Sequence, residues 1–323
     1  MVKKKVLITG GSGYIGSRLS LYLSQKGFDI IPLCNSKIPD NKEWIQSMYM
    51  TLQGDLRDKT TLKKIEKVRP NAIIHLVSLD HNKSGLNLQE TLQVNVQSTW
   101  ELLSLSSSIG LEKFFYFSTT QVYGQTSGKI VTENTKLQPT NCYGLTHKMS
   151  EDIVSFYHRT KEFIGVNIRL SNSYGEPVFH DSKCWSLVVN DLCRSAFENK
   201  RIVLNSDGSA TRDFIHYTTI CESIEGLLRI NELRQNTFNL CSGKSVNLLS
   251  VALLIKDLYE KKFQATIDVY INTTDKANVS PRSIDTSISQ ISKEALLSVI
   301  KVSEAKLELG ILSLFDYLEN SKK

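Results

Sequence analysis

Residues 6–16 place the tightest constraint on this chain. Val6-Leu7-Ile8-Thr9 reads as a short buried strand, and Gly10-Gly11-Ser12-Gly13-Tyr14-Ile15-Gly16 follows without a spacer. Residues 17–25 then read as a helix. Gly10 permits a tight turn, Gly13 lets the backbone approach a pyrophosphate, and Gly16 lets the helix pack closely on the strand. The helix start offers free N–H groups and the positive end of its dipole to phosphates. Because the glycines follow a strand and open a helix, they read as a dinucleotide-binding turn rather than an ordinary glycine-rich connection.

Composition narrows the partners. A chain of 323 residues can form one domain with a smaller lobe, or two domains. Hydrophobic content of 41% and charged content of 22% suit a soluble globular protein, and no apolar run reaches the length of a membrane span. Strand character is read from Val2 onward, so no secretory segment is expected before the fold. The six cysteines (34, 142, 184, 193, 221 and 241) lack metal-ligand spacing, so reduced thiols, no metal and a cytoplasmic setting are expected. The net charge of +6 comes from dispersed lysines with no basic stripe among aromatics, so nucleic acid is not an expected partner. A small, doubly charged ligand fits that charge better.

The second strand spans residues 29–34, with Pro32 suggesting an edge-like or irregular segment. An NAD site usually has an acid at its end for the adenosine ribose hydroxyls. Here the chain reads Leu33-Cys34-Asn35-Ser36-Lys37. Asn35 and Ser36, with charge from Lys37 or Arg18, favour NADP; NAD held through Asn35 is the alternative. Residues 48–53 read as the third strand, running into Gly54-Asp55-Leu56-Arg57-Asp58. Asp55 can accept from the adenine amino group while Leu56 covers the ring, or Asp55 can cap the next helix, residues 59–68. In the fourth strand, residues 71–77, His75 is expected to be packed and hydrogen-bonded. Residues 78–84 are expected to line the cofactor's inner phosphate and ribose, and a helix over residues 86–109 carries Asn95, expected to anchor the active-site loop through its amide.

Hydroxyls gather where substrate is expected, at the carboxyl end of the fifth strand (114–117), in Ser118-Thr119-Thr120-Gln121-Val122-Tyr123-Gly124. After the Pro139-Thr140-Asn141 turn a helix is expected from Tyr143 to about Arg159, placing Tyr143 and His147 on one face. A phenol titrates near 10, and a cation beside it, protonated His147 or the nicotinamide ring, favours the phenolate. Tyr143 can then take the proton of a carbinol as hydride leaves for a nicotinamide, with Thr119 holding the same oxygen.

These segments together resemble the extended short-chain dehydrogenase/reductase family, in particular its nucleotide-sugar epimerase and dehydratase branch. The resemblance runs over essentially the whole chain, through Thr9 to Gly16, Gly54 to Asp58, Ile74-His75-Leu76, Asn95-Val96, Ser118 to Gly124 and the Tyr143-Gly144 helix with Glu151. It implies an α/β fold: a Rossmann-type doubly wound parallel sheet with a smaller C-terminal substrate-binding lobe. The expected division is 1–177 and 178–323, with residues 210–245 partly returning to the large domain. It adds Ser12, Tyr14, Ile15 and Leu76 to the cofactor-binding set of Gly10, Gly13, Gly16, Asn35, Ser36, Asp55 and Leu56, and gives Tyr143 and His147 a place in it. In the family a lysine stands four residues after the tyrosine, binds the nicotinamide ribose and lowers the tyrosine's pKa. Here that place holds His147, and Lys148, one residue later, turns about 100° away. Thr120 and Gln121 occupy the positions where the branch's 4,6-dehydratases carry two acids, so dehydration is not expected.

The resemblance also reads the second half. Asn172, in Ser171-Asn172-Ser173-Tyr174-Gly175, reaches the sugar or its phosphates; Asn190 and Asp191, in a helix over 185–199, are candidate base contacts. Arg212, in Gly208-Ser209-Ala210-Thr211-Arg212-Asp213-Phe214, pairs with the sugar diphosphate, as a guanidinium does well, and Asp213 orients backbone. Arg282 is a second diphosphate candidate, and His216 stands where the family has tyrosine. Helices are read over 218–230, 246–259, 296–300 and 306–310, and a late strand over 263–269. The implied activity is 4-epimerisation of a nucleoside-diphosphate sugar through a transient 4-keto sugar, with Thr119, Tyr143 and His147 catalytic. A 4-keto-sugar reductase using NADPH and a silent nucleotide-binding relative are the alternatives. A homodimer through helices 86–109 and 142–159 is also implied.

Overall fold

Val6, Leu7 and Ile8 are fully buried in β1 (Lys5–Thr9) because helices cover both faces of a parallel sheet. The computed structural model describes residues 3–35, 37–126, 128, 130–160, 163–272 and 290–321. From β1 the chain turns at Gly10, where φ is +68°, into α1 (Tyr14–Gln25). A Cβ on Gly16 would stand 2.2 Å from the Gly10 carbonyl oxygen, so only glycine lets this helix sit down on the turn. Next come β2 (Asp29–Cys34), α2 (Lys42–Gln46), β3 (Leu52–Gln53), α3 (Lys59–Val68) and β4 (Ala72–His75). The chain continues through α4 (Leu88–Thr91), a π-helical turn (Leu92–Gln97) and α5 (Ser98–Ile109) to β5 (Lys113–Thr119), buried along its whole length. After α6 (Cys142–Thr160) follow β6 (Ile164–Leu170) and β7 (Asn172–Tyr174).

The remaining elements are α7 (Val188–Asn199), β8 (Arg201–Leu204), β9 (Thr211–His216), α8 (Tyr217–Arg229), β10 (Thr237–Leu240), β11 (Ser245–Asn247), α9 (Leu248–Phe263), β12 (Asp268–Ile271), α10 (Glu294–Leu297) and α11 (Leu307–Asn320). Seven strands form one parallel sheet in the order β10-β6-β5-β4-β1-β2-β3. The order reverses between β1 and β4, so the crevice for a ligand opens at their carboxyl ends. This is the Rossmann-type doubly wound sheet. A smaller C-terminal lobe packs α7, α9 and α11 around Val189, Ala196, Ala252, Ile255, Leu314 and Phe315, beside the β8–β12 pair. No helix among the described residues is long and apolar enough to cross a membrane.

Several boundaries differ from the pattern in the sequence, each for a local reason. β2 is an inner strand, not an edge. Ile30 and Cys34 accept from Tyr49 and Gly54 on the β3 side, so Pro32 faces that side with no N–H to give. The ladder over 48–53 therefore shrinks to Leu52–Gln53. Asn87 caps α4 by accepting from Glu90 N, and the expected long helix starts there and changes pitch in its π-helical turn. Residues 183–186 form a 3₁₀ turn before α7. Residues 245–247 pair with β9 before Asn247 caps α9, which extends to Phe263 and moves the last strand to Asp268–Ile271. The penultimate helix is only Glu294–Leu297, and α11 runs ten residues beyond Gly310, to Asn320.

Lys113 joins the sheet to α8. Its buried ammonium donates to the carbonyls of Leu227 (3.1 Å), Leu228 (2.7 Å) and Ile230, at the carboxyl end where a cation is favoured. Burial, reinforced by Lys4, pulls that ammonium down to about 8. Lys113→Met leaves the carbonyls without their donor and is expected to cost about 2–3 kcal/mol, read as a lower urea midpoint with unchanged slope.

Candidate active site

The first turn of α1 has no side-chain cap: Gly13 is exposed and extended at the N-cap, leaving the amides that follow without side-chain partners. That is the local geometry an anionic pyrophosphate needs. Ser12, Tyr14 and Ile15 are half-buried around it, and Tyr14 Oη donates to the Gly175 carbonyl (2.9 Å). Leu76 N donates to Thr9 Oγ1 (3.1 Å) across the crevice, beside Gly10.

The adenosine end is sparser. Asn35 is exposed after β2, and Ser36 lies outside the described residues. Asp55 accepts from Arg57 N (2.9 Å) and from its guanidinium (2.6 Å), which holds the carboxyl below its ordinary range. Asp58, not Asp55, caps α3. Leu56 is buried among the residues that include Leu7 and Ile31. Arg18 is not available to a ribose phosphate. It donates to the carbonyls of Glu176 (2.8 Å) and Pro177 (3.1 Å), approaches the Glu176 carboxylate at 3.4 Å and lies 4.3 Å over the Tyr217 ring. Lys37 lies 3.9 Å from Asp181.

At the other end of the crevice, β5 ends on Thr119, whose hydroxyl accepts from Gln121 N (3.2 Å) and caps a 3₁₀ turn, Thr120–Tyr123. The start of α6 presses on that turn. A Cβ on Gly144 would come within 2.7 Å of the Gln121 carbonyl oxygen, and Asn141 Nδ2 donates to Gln121 Oε1 (3.0 Å). This contact sets Tyr143, in the first turn of α6, near the end of β5. Burial pushes the Tyr143 phenol up to about 12; a Ser78 hydrogen bond pulls the other way, and Asp80 adds to the rise.

The Tyr143 and His147 rings are 4.4 Å apart, edge to face. His147 is 2% exposed, with Nδ1 2.8 Å from Tyr116 Oη, and its Nε2 is buried without a protein partner. Burial, and then nearby His75, push its pKa down to about 3. Of the two cations that could favour the phenolate, protonated His147 is therefore ruled out, because burial disfavours the charged ring. Lys148 turns outward to Asp152 (3.3 Å). A buried, partnerless nitrogen beside a phenol and an uncapped helix start suit a nicotinamide dinucleotide: α1 can hold its pyrophosphate, and His147 and Tyr143 its ribose.

Behind these groups lies a polar array. Asn95 Oδ1 accepts from Leu79 N (2.8 Å), fixing the crevice loop, and Nδ2 donates to Thr146 (3.0 Å). His75 bridges Thr9 (2.8 Å) and Thr99 (3.1 Å), fully buried as expected. Glu151 pairs with Arg169 (2.8 Å) and accepts from Ser118 (2.5 Å), while Arg169 also donates to Tyr123 Oη (2.9 Å). Tyr116 and Arg169 join the site only through the fold. The signal for Tyr116 was its two-residue spacing from Ser118 on β5, and Glu151 follows His147 by one helical turn.

On the lobe side, Asn172 Nδ2 donates to the Asp213 carbonyl (3.0 Å). Asp213 gathers Ser171 (2.6 Å), Ser242 and the amides of Gly243 and Lys244, so it does orient backbone. Arg212 is half-buried on β9 and donates to the Thr211 carbonyl (2.9 Å). Asn190 is no base contact: fully buried, it accepts from Gly175 N (3.0 Å) and donates to Gly175 O (2.8 Å). Arg282 lies outside the described residues.

A nucleotide turn at the switch point of a doubly wound sheet, with a threonine and a tyrosine at the neighbouring strand end, defines a dinucleotide-dependent oxidoreductase type of site. The chain belongs to the NAD dependent epimerase/dehydratase family, whose sequence profile matches residues 6–241. It is thereby an NAD(P)-dependent enzyme of the class that acts on nucleotide sugars. A putative UDP-glucose 4-epimerase of Methanocaldococcus jannaschii is 27% identical, over 78% of this chain and 81% of that protein. A dTDP-D-glucose 4,6-dehydratase of Bos taurus is 26% identical, over 84% and 78%. Among solved structures, a UDP-glucose 4-epimerase of Thermotoga maritima with UDP-glucose aligns with a TM-score of 0.84 at 18% identity, over 99% of this chain and 100% of that one. A UDP-glucuronic acid 4-epimerase of Bacillus cereus with UDP-glucuronic acid and NAD gives 0.79 at 21% identity, over 98% and 99%.

The two neutral histidines make the fold acid-sensitive. His75 is also pushed down to about 3 by burial, whereas unfolded histidine titrates near 6.5. Both groups have depressed folded values, so their contribution is complete above about pH 6.5 and is lost as pH falls towards 3. At pH 5 each is expected to cost about 2 kcal/mol relative to neutral pH. Urea unfolding at pH 7.5 and pH 5.0 checks this, with His147→Gln losing about half as much of this term as the parent.

Proposed function

We propose that the chain is an NAD-dependent 4-epimerase of a nucleoside-diphosphate sugar. The observation that carries this reading is the pairing of Thr119 and Tyr143 with a neighbouring turn that holds no acid. Thr120 is buried, and the Gln121 amide is tied to Asn141, so neither can move the proton that dehydration requires. The 4-epimerase relatives share the fold and family, and the Bacillus cereus enzyme is one that binds NAD.

A nicotinamide held beside Tyr143 and His147 would supply the acceptor and donor of hydride at C4 of the sugar. The protein's part is to hold and deprotonate O4. Thr119 donates to that oxygen, and Tyr143 takes its proton on oxidation and gives it back on reduction. Burial raises the Tyr143 phenol, the Ser78 hydrogen bond opposes that rise, and a bound positive nicotinamide would add the charge that a neighbouring ammonium does not supply here. Gly10, Ser12, Gly13, Tyr14, Ile15 and Gly16 hold the pyrophosphate, with Asn35, Asp55, Leu56 and Leu76 along the adenosine half. Asn172, Arg212 and Arg282 serve the sugar diphosphate. NAD is preferred over NADP here because Arg18 is committed to residues 176–177. The 4-keto-sugar reductase is the second reading, since no carboxylate follows β2. Exposed Trp100, Leu145, Met149 and Phe156 on α5 and α6 support the homodimer.

Mass spectrometry of the nucleotide carried by the purified protein, followed by UDP-, GDP-, CDP- and dTDP-sugars, tests the assignment. Retained NAD and a product of equal mass are expected. Tyr143→Phe should lower kcat by about 10²–10⁴ with retained cofactor binding. Loss of water from the sugar, consumption of NADPH only with a 4-keto sugar, or no turnover with any sugar overturns the epimerase.

A further inference from the structure

We propose that Tyr116 is a positioning residue: its hydroxyl donates to His147 Nδ1 and thereby presents His147 as a neutral Nε2–H donor for a cofactor hydroxyl. The geometry begins with Tyr116, 1% exposed in the middle of β5, whose Oη lies 2.8 Å from Nδ1. An imidazole nitrogen is the stronger acceptor of the two, so the phenol gives the proton and the ring keeps its own on the far nitrogen. Ser150, nearby on α6, gives its own hydrogen to the Asn95 carbonyl (2.8 Å), so its oxygen is the rival acceptor for the Tyr116 hydroxyl; the imidazole nitrogen at 2.8 Å is the stronger of the two acceptors.

His75 shows the same logic in the same array. Thr99 donates to the Asn95 carbonyl (2.8 Å), so at the 3.1 Å contact it can only accept, and His75 Nε2 must carry the hydrogen. Thr9, whose oxygen already accepts from Leu76 N, then donates to His75 Nδ1 (2.8 Å). In both rings a hydroxyl feeds Nδ1 and leaves Nε2–H. The difference is the far side: His75 has Thr99, whereas His147 Nε2 is buried with no protein partner. A buried donor without a protein acceptor is open to a ligand atom or an ordered water. Beside Tyr143 that atom is a hydroxyl, which rests on the reading of this crevice as the nicotinamide-ribose site. His147 thus supplies a directed hydrogen bond where a lysine would add charge. The charged and titratable groups around the pair are His75 on β4, Tyr143 and Glu151 on α6 and Arg169 on β6.

The test is nitrogen-15 NMR of histidine-labelled, nucleotide-free protein, with His147→Gln assigning the resonance. The expected result is one tautomer, protonated on Nε2, in the parent and mixed tautomers in Tyr116→Phe. In calorimetry Tyr116→Phe should weaken NAD binding about tenfold, while His147→Gln, which keeps a donor amide, should retain it better than His147→Phe. An Nδ1–H tautomer in the parent overturns the proposal. So does a Tyr116→Phe protein with unchanged histidine resonances or unchanged NAD affinity. If the parent shows the expected tautomer but binds no NAD, the cofactor reading fails and the tautomer assignment stands. Should Tyr116→Phe not fold, the parent spectrum and the two His147 variants decide.

Discussion

The active-site end of the sheet depends on the backbone carbonyl of Asn95. In the π-helical turn Leu92–Gln97 this oxygen receives two side-chain hydroxyls, from Thr99 and from Ser150 on α6. The Asn95 amide meanwhile holds Leu79 and Thr146. One residue therefore fixes the crevice loop, the helix that carries Tyr143, and, through Thr99 and His75, the end of β1. An ordinary helical turn would direct that carbonyl to its own helix; the change of pitch frees it for tertiary use. The array is satisfied except at His147 Nε2, so the one open valence of this set lies beside the tyrosine.

Dryness then sets the chemistry. The same burial raises Tyr143 and lowers His147, so the ligand-free site holds a neutral phenol beside a neutral imidazole. A lysine in place of His147 would bring a charge whose desolvation the pocket would have to offset. With a neutral histidine, no protein cation stands against the Tyr143 ring to favour its phenolate.

What was legible in the sequence was local. The glycine turn, the buried β1 and β5, the packed His75, the anchoring Asn95 and the shared face of Tyr143 and His147 all follow from spacing of 2 or 3.6 residues and from backbone sterics. What was not legible depends on partners far along the chain. Arg18 looks like a free cation until Glu176 and Pro177, more than 150 residues away, take its donors. Asn190 looks like a polar surface residue until Gly175 fills its amide. Pro32 marks an edge by rule, yet here it interrupts the neighbouring ladder instead. The charge of His147 was the least legible of all, since titration depends on desolvation, which spacing does not encode.

Glu176 has a further meaning. Its carboxylate receives Ser313 of α11 (2.6 Å) and Tyr217 of α8 (2.5 Å), and it faces Arg18 of α1. The first helix of the nucleotide turn and the last helix of the chain are thus held by one side chain, across nearly 300 positions of sequence. Contacts of such separation form late, after the cost of closing the loop between them. A nascent chain emerging from the ribosome can build β1 and the glycine turn early, but the clasp over α1 waits for α11. Loss of α11 would remove Ser313 from that clasp and so be felt at α1, nearly 300 positions away.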